Sequence, residues 1–311
     1  MIGAVDIGGT KIAVGMVDNN GRVLSRTECP TDSGRGYPDA LARIIAMLQE
    51  TAREARAEIT GIGIGSTGIV YPSTGAIGDA DFLPGWKGQN PTIDLAEEFG
   101  VSVALENDAD AAALGEAAWG AGKGKSRLIY VTIGTGIGGG IILDGQLYRG
   151  ADMSHPEIGH HVLDASGPLC SCGFRGCWET LATGPAMAAW FAEQADSDPD
   201  GKRTAREICE LAKQGNAVAC RVVEREAHYL GLGLANLINL FVPDVIVLGG
   251  SVMKSFPLLL HGIRQTIRRG CRFVPAEKTE IVLASLGKEA NLIGAARVWH
   301  HRFRNEGVRS F

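Results

Sequence analysis

His160, Cys170, Cys172 and Cys177 bring one imidazole and three thiols into one short stretch, enough to close a tetrahedral shell around a zinc ion. The C-x-C-x4-C spacing includes Gly173 and Gly176, which let the backbone wrap around an ion. The chain has seven cysteines, and the other four, Cys29, Cys209, Cys220 and Cys271, are scattered as single buried-type residues. An odd, clustered count favours a metal over disulfides. Four protein ligands leave no position for water, so the expected role is structural. His155 and His161 stand nearby as surface groups or outer partners of the cluster and are not assigned as ligands.

A second chemistry lies in two glycine loops. Val5-Asp6-Ile7-Gly8-Gly9-Thr10 and Val131-Thr132-Ile133-Gly134-Thr135-Gly136 each end an apolar strand and lead into another. Backbone N–H groups without side chains in the way suit a polyphosphate such as that of ATP. Thr10 and Thr135 add hydroxyl donors, Lys11 is a candidate countercharge, and Asp6 can hold Mg²⁺ through water. Either loop alone could be a plain hairpin; their duplication, placing two loops across a cleft, favours the phosphate reading. Gly134-Thr135-Gly136-Ile137-Gly138-Gly139 also fits a dinucleotide fingerprint, but it runs on into a strand and does not open a helix. Gly120-Ala121-Gly122-Lys123-Gly124-Lys125-Ser126 nearly makes a P-loop, yet its first glycine would fall on Trp119, which leaves a basic surface turn.

Glu106-Asn107-Asp108 stands where a strand ends and a helix begins, so Asp108 is placed either to cap that helix or to serve as a cleft carboxylate. Phosphoryl transfer to a hydroxyl needs a carboxylate to receive the proton, and Asp108 is the candidate. Glu157 and Glu179 flank the cysteine cluster and can accept hydrogen bonds from sugar hydroxyls, or else stand as solvated surface charge.

The elements that must position these groups form a repeat. Strand, glycine loop, strand, tight turn and strand open each half: Ile12 to Asp18, Asn19-Asn20-Gly21 and Arg22 to Thr27 in the first; Gly140 to Asp144, Gly145 and Gln146 to Arg149 in the second. Asn-Gly and Asp-Gly suit two-residue turns with both central residues at positive φ. Helices are expected over Tyr37 to Ala57, Asp108 to Trp119, Arg203 to Gln214, Asn216 to Phe241, Phe256 to Arg269 and Glu289 to Phe303. Strands are expected over Gly61 to Ser66, Val101 to Glu106, Asp244 to Leu248 and Glu280 to Ala284, with an exposed loop at Ala195 to Arg203 and a frayed tail after Phe303. This is an α/β pattern. At 311 residues it implies two lobes: 1–118, completed by the final helix 289–303, and 119–288. A net charge of -5 offers nucleic acid or an anionic membrane no overall attraction. The start lacks a secretion signal, and the apolar stretch Gly231 to Gly250 is broken by Asn236, Asn239, Pro243 and Asp244, so a cytoplasmic location without a membrane span is expected.

Taken in order, Asp6-Ile7-Gly8-Gly9-Thr10-Lys11, Glu106-Asn107-Asp108, Gly134 to Gly140, Glu157-Ile158-Gly159-His160 and Cys170-Ser171-Cys172-Gly173 through Gly176-Cys177-Trp178-Glu179 resemble the ROK family of repressors, open reading frames and sugar kinases. The resemblance runs end to end and implies the duplicated actin-like, hexokinase-like (ribonuclease H-like) fold. It implies an ATP-dependent hexose kinase with Asp108 as base, a glycolytic glucokinase acting on the glucose 6-hydroxyl before one for mannose, fructose or an N-acetylated hexosamine. It implies that Gly68, Asn107, Glu157, His160 and Glu179 bind the sugar, with His160 also ligating zinc, that Gly249 and Gly250 border the adenosine, and that the protein is a homodimer. Phe82 stands before Leu83-Pro84-Gly85-Trp86 where many members have Asn, which removes a polar sugar contact or passes it to Asp81. His155-Pro156-Glu157 is similar to the fructokinase branch, whereas Cys172 to Cys177 is similar to the glucokinases. The alternative of another class is a sugar-sensing ROK regulator; such regulators carry a helix-turn-helix domain ahead of the first phosphate strand, where here nothing precedes Met1, so no nucleic-acid partner is expected.

Overall fold

The structure is a computed structural model that describes residues 1–194 and 203–304. The expected loop at Ala195 to Arg203, apart from Arg203 itself, and the tail beyond Arg304 lie outside the described residues. In the first half the elements are β1 (Ile2–Ile7), β2 (Lys11–Val17), β3 (Val23–Pro30), α1 (Tyr37–Ala55), β4 (Gly61–Ser66), β5 (Val70–Tyr71), β6 (Ala76–Ile77), α2 (Pro91–Phe99), β7 (Val103–Asn107) and α3 (Asp108–Trp119). The second half follows with β8 (Leu128–Ile133), β9 (Ile137–Leu143), β10 (Gln146–Leu147), α4 (Trp178–Leu181), α5 (Gly184–Gln194), α6 (Ala205–Lys213), α7 (Ala217–Phe241), β11 (Val245–Gly249), α8 (Phe256–Gly270), β12 (Glu280–Leu283) and α9 (Ala290–Phe303).

The repeat read from the glycine loops is a repeat of sheets. One has the order β3-β2-β1-β4-β7 and the other β10-β9-β8-β11-β12, the same plan twice. In the first, β1 and β2 pair antiparallel from Ile2 opposite Val17 to Ile7 opposite Ile12, while β1, β4 and β7 run parallel. Strand β1 is buried along its whole length because helices cover both of its faces. Alternation sends Val5 and Ile7 into a core with Ile44 and Leu48 of α1. Ile2 and Ala4 point the other way, into a core with Leu292, Ala295 and Trp299 of α9.

Two compact units result. The first comprises Met1–Tyr130, Gly140–Pro156 and the described residues from Ala284 onward; the second comprises Val131–Gly139 and the described part of Glu157–Leu283. The 118/119 boundary read from the sequence thus falls inside the first unit, which also takes the outer part of the second hairpin. Its last helix, α9, packs on β1, β4 and α3 at glycines. A Cβ on Gly63 would lie 1.9 Å from the Ala295 carbonyl oxygen, and one on Gly294 would lie 2.4 Å from that of Ala111.

Several local readings change. The second glycine segment becomes strand three residues earlier than expected, at Ile137, and within it Gly140 lies where a Cβ would meet Ala113 and Asp110 of α3. Asp144 and Gly145 both take positive φ, as the two-residue turn requires, but at the first turn only Gly21 does. There the Asp18 carboxylate organises a longer turn by accepting N–H groups from Asn20 at 2.8 Å and Arg22 at 2.9 Å. Helix α2, not anticipated, starts where Asn90 Oδ1 accepts the Ile93 N–H and Pro91 occupies the first turn. Among the described residues no helix is long and apolar enough to cross a membrane.

The contact at Gly63 gives a direct test. Gly63→Ala forces β4 and α9 apart and is expected to destabilise the protein by about 3 kcal/mol, read as a lower urea midpoint. A loss below about 1 kcal/mol would mean the two backbones do not depend on that approach.

Candidate active site

The turn from β7 to α3 sets the first group. Asn107 has extended backbone angles and is the N-cap: its Oδ1 accepts the Ala109 N–H at 2.8 Å, and its Nδ2 donates to the Gly68 carbonyl at 3.3 Å. Asp108 is therefore the first helical residue and not the cap, although its Oδ1 also reaches the Ala109 N–H. It is partly buried. Burial is the main cause that raises its carboxyl to about 7, the Asp6 charge is the next, and Asp110 adds to them.

Asp6, at the inner end of β1, is raised by burial to about 6, against the lowering effect of Asn291 Nδ2, which donates to its Oδ2 at 3.1 Å. Two neighbouring carboxylates that each resist ionisation form a donor set suited to a divalent cation. The crest of the adjoining loop carries exposed Thr10, while Gly8 spends its N–H on the Lys11 carbonyl at 2.9 Å. Phe82 lies over Gly9, close enough that a Cβ there would be 3.0 Å from the phenylalanine Cβ. Lys11 turns outward to Glu28, Nζ to Oε2 3.1 Å, an exposed pair. Thus Asp6, Gly8, Gly9, Thr10, Gly68, Asn107 and Asp108 belong to one neighbourhood of the first unit, and Lys11 points elsewhere.

The second group belongs to the other unit. Thr135 is exposed at the crest between β8 and β9, and the Gly134 N–H is bound to the Gly136 carbonyl. Glu179, in the first turn of α4, accepts the Ile137 N–H at 2.9 Å and sits so close that any side chain on Gly136 would meet it. The cysteine loop is thereby fastened to the second glycine hairpin. Glu157 is exposed, and its carbonyl accepts the His160 N–H at 3.1 Å in the turn ahead of the cluster.

His160, Cys170, Cys172 and Cys177 converge as the spacing suggested, with all four ligand atoms within 4.8 Å of one another. Cys172 Sγ is 3.4 Å from Cys177 Sγ, and Cys170 Sγ is 3.4 Å from His160 Nδ1. A tetrahedron of thiolates about 2.3 Å from a zinc ion has edges of about 3.8 Å, so the set suits such an ion. Burial pushes the Cys177 thiol up to about 12, whereas the Phe174 N–H lowers exposed Cys172. Holding Cys177 as a thiolate therefore calls for a cation. His161 turns away, its Nδ1 donating to the Ile158 carbonyl at 2.5 Å and its ring tilted against Trp178.

Beside Gly134 and Thr135 lies a cavity of about 830 Å³ lined by Gly184, Arg203, Thr204, Ser251 and Lys254 among others, a volume that takes a nucleoside. Gly249 and Gly250 are not in its lining. Gly249 is buried in β11, and Gly250, at φ 90, lies against the Ile133 carbonyl, so the cavity begins one residue later at Ser251. Arg203, Thr204 and the start of α5 were missed because α5 carries no sharp apolar periodicity; Thr204 did have a legible signal, a capping box with Glu207.

Residues 2–302 match the ROK family. The chain belongs to that family. It is 37% identical over 310 residues to a glucokinase of Streptomyces coelicolor, covering 94% of this chain and 95% of the relative. Among solved structures, the ROK hexokinase of Thermus thermophilus is similar with a TM-score of 0.84 and 35% identity, covering 98% of this chain and 99% of that one. A ROK glucokinase from Streptomyces griseus, in complex with glucose and AMPPNP, is similar with a TM-score of 0.80 and 34% identity, covering 96% and 99%. The duplicated α/β plan of this ROK protein is accordingly the actin-like ATPase fold.

Proposed function

We propose that this ROK protein is an ATP-dependent glucokinase that moves the γ-phosphoryl group of ATP to the 6-hydroxyl of glucose in the cytoplasm, at the entry to glycolysis, as a homodimer. The observation that carries this reading is the near full-length likeness to the glucokinase structure holding glucose and AMPPNP. The intact carboxylate at the start of α3 supports it.

In this reading Asp108 accepts the proton of the attacking hydroxyl. A base must be ionised to do so, and a carboxyl raised to about 7 is both available near neutral pH and basic enough to take a proton. Gly68, Asn107, Glu157, His160 and Glu179 hold the sugar. Asn107 suits this role because its capping bond to Ala109 and its bond to Gly68 fix its rotamer. The loops with Gly8, Gly9 and Thr10 and with Gly134, Thr135 and Gly136 receive the phosphates, and the cavity beyond Ser251 receives the nucleoside. Lys11 supplies countercharge on leaving Glu28. Gly249 and Gly250 lead into Ser251 at the border of the adenosine. Asp6 would hold Mg²⁺ through water, and the ion would neutralise phosphate charge. His160, Cys170, Cys172 and Cys177 would hold a structural zinc ion that sets the loop bearing Glu179.

Four measurements check the reading. ADP release with ATP and Mg²⁺ should respond to glucose above mannose, fructose, N-acetylglucosamine and N-acetylmannosamine; a stronger response to one of these others would reassign the acceptor, and no response to any would remove the kinase reading. Asp108→Asn should lower kcat by at least about 100-fold while calorimetric glucose affinity changes little. In the parent enzyme kcat/KM should fall as pH drops through the range from about 7 to about 6, because both Asp108 and Asp6 must lose their protons, and the two apparent values belong to the pair. A profile flat down to pH 5 would exclude Asp108 as the base. Finally, Cys172→Ser should lower both bound zinc per chain and melting temperature, and unchanged zinc content would overturn the four-ligand assignment.

A further inference from the structure

A turn beside the first glycine loop carries an aromatic side chain that the mechanism above does not use. The Leu83 N–H donates to the Ala80 carbonyl at 3.0 Å and closes a turn with Asp81 and Phe82 at its tip. The Trp86 N–H donates to the Leu83 carbonyl at 3.1 Å and closes a second turn directly after it. Leu83 and Trp86 are buried in the core that also holds Ile7 and Ile64, and Trp86 meets Tyr37 of α1 edge to face, ring centroids 5.3 Å apart. Two core side chains on consecutive turns thus hold the tip in place. Phe82 itself is 63% exposed, next to a leucine that is 1% exposed.

The tip is seated between two parts of the candidate site, all of them in the first unit. On one side Ala80 rests on Gly68, which has φ 78; a Cβ there would lie 2.6 Å from the Ala80 Cβ. The Gly68 carbonyl in turn takes the bond from Asn107 Nδ2. On the other side Phe82 covers Gly9, where a Cβ would lie 3.0 Å from the phenylalanine Cβ, 3.4 Å from Cγ and 3.6 Å from Cδ1. The two sides are joined at their base, because the Thr67 N–H donates to the Ile7 carbonyl at 2.9 Å. A single exposed phenylalanine is ordinary on a protein surface. This one is carried by a core-anchored turn and laid on the backbone of a glycine loop, and its ring offers a water molecule neither a donor nor an acceptor.

We propose that Phe82 is a specificity-determining residue that sets the choice of acceptor between sugar and water: its ring covers the Gly9 loop and keeps water from the place where the sugar hydroxyl attacks. The proposal rests on the kinase reading, which makes the Gly8-Gly9-Thr10 loop a phosphate loop and Asp108 the base. Both acceptors share one chemistry. The bond between the γ-phosphorus and the bridging oxygen breaks, and ADP departs with the electron pair. A hydroxyl oxygen forms the new bond to phosphorus and its proton passes to Asp108; the product is a sugar phosphate from the sugar and inorganic phosphate from water. Since water can make the same attack, its exclusion decides between the two products.

The test compares the two products in the parent, Phe82→Ser and Phe82→Leu. Inorganic phosphate released from ATP and Mg²⁺ is measured without sugar, and sugar phosphate is measured with saturating glucose. In Phe82→Ser the ratio of hydrolysis to sugar phosphorylation is expected to rise by about tenfold, the scale on which an apolar contact discriminates between competing substrates, while Phe82→Leu, which keeps an apolar cover, stays near the parent. Both melting temperatures should stay near that of the parent, because the side chain is exposed at a turn tip. Phe82→Ala replaces Phe82→Ser should the latter fail to fold, with the same rise expected. An unmoved ratio in the folded variant would overturn the proposal. So would a raised KM for glucose with hydrolysis unchanged, which would make Phe82 a sugar contact instead. A parent without sugar-dependent ADP release removes the kinase reading and the proposal with it, whereas an active parent with an unmoved ratio in Phe82→Ser removes the proposal alone.

Discussion

The site depends on ionisable groups held at the ends of buried parallel strands. Strand β1 must be apolar on both faces because α1 and α9 cover it, and still it carries Asp6 close to its end. Strand β7 ends in Glu106 and Asn107, and Asp108 follows as the first residue of α3. A carboxyl in such a place resists losing its proton, which costs folding free energy at neutral pH and supplies basicity in return. The surrounding arrangement moderates that cost: Asn291 for Asp6, and Arg149 and His155 for the acids around Asp108.

The legible parts were those whose partners are close in sequence. The four metal-ligand candidates crowd into one loop, and tetrahedral chemistry could be inferred from their types alone. The helix Asp108–Trp119 and the strand Gly61–Ser66 were foreseen to the residue, because the polar start, the apolar run and the terminal glycine are local signals. The glycine loops announced a repeat, and the two sheets have the same order.

What stayed hidden depends on distance along the chain. Nothing around Asn291 suggests that it donates to Asp6, and Arg149 follows Glu106 and Asp110 by some forty residues, on a segment read as an ordinary strand end. Asp108 looked like a helix cap because Asp and Asn both cap well, and only backbone angles assign the task to Asn107. The resemblance to the ROK family set Gly249 and Gly250 beside the adenosine; here Gly250 lets one strand end approach the next.

The last helix has a consequence for how this chain is made. Ile2, Ala4, Ala13 and Val17 leave the ribosome well before their covering partners Leu292, Ala295, Ala296 and Trp299. Until α9 emerges, one face of the first sheet is an apolar surface without its lid, and transiently exposed surface of this kind makes a partly folded chain prone to aggregate. A chain terminated before α9 would thus present a sticky sheet carrying the Asp6 strand, so quality control of this protein amounts to checking that α9 has arrived.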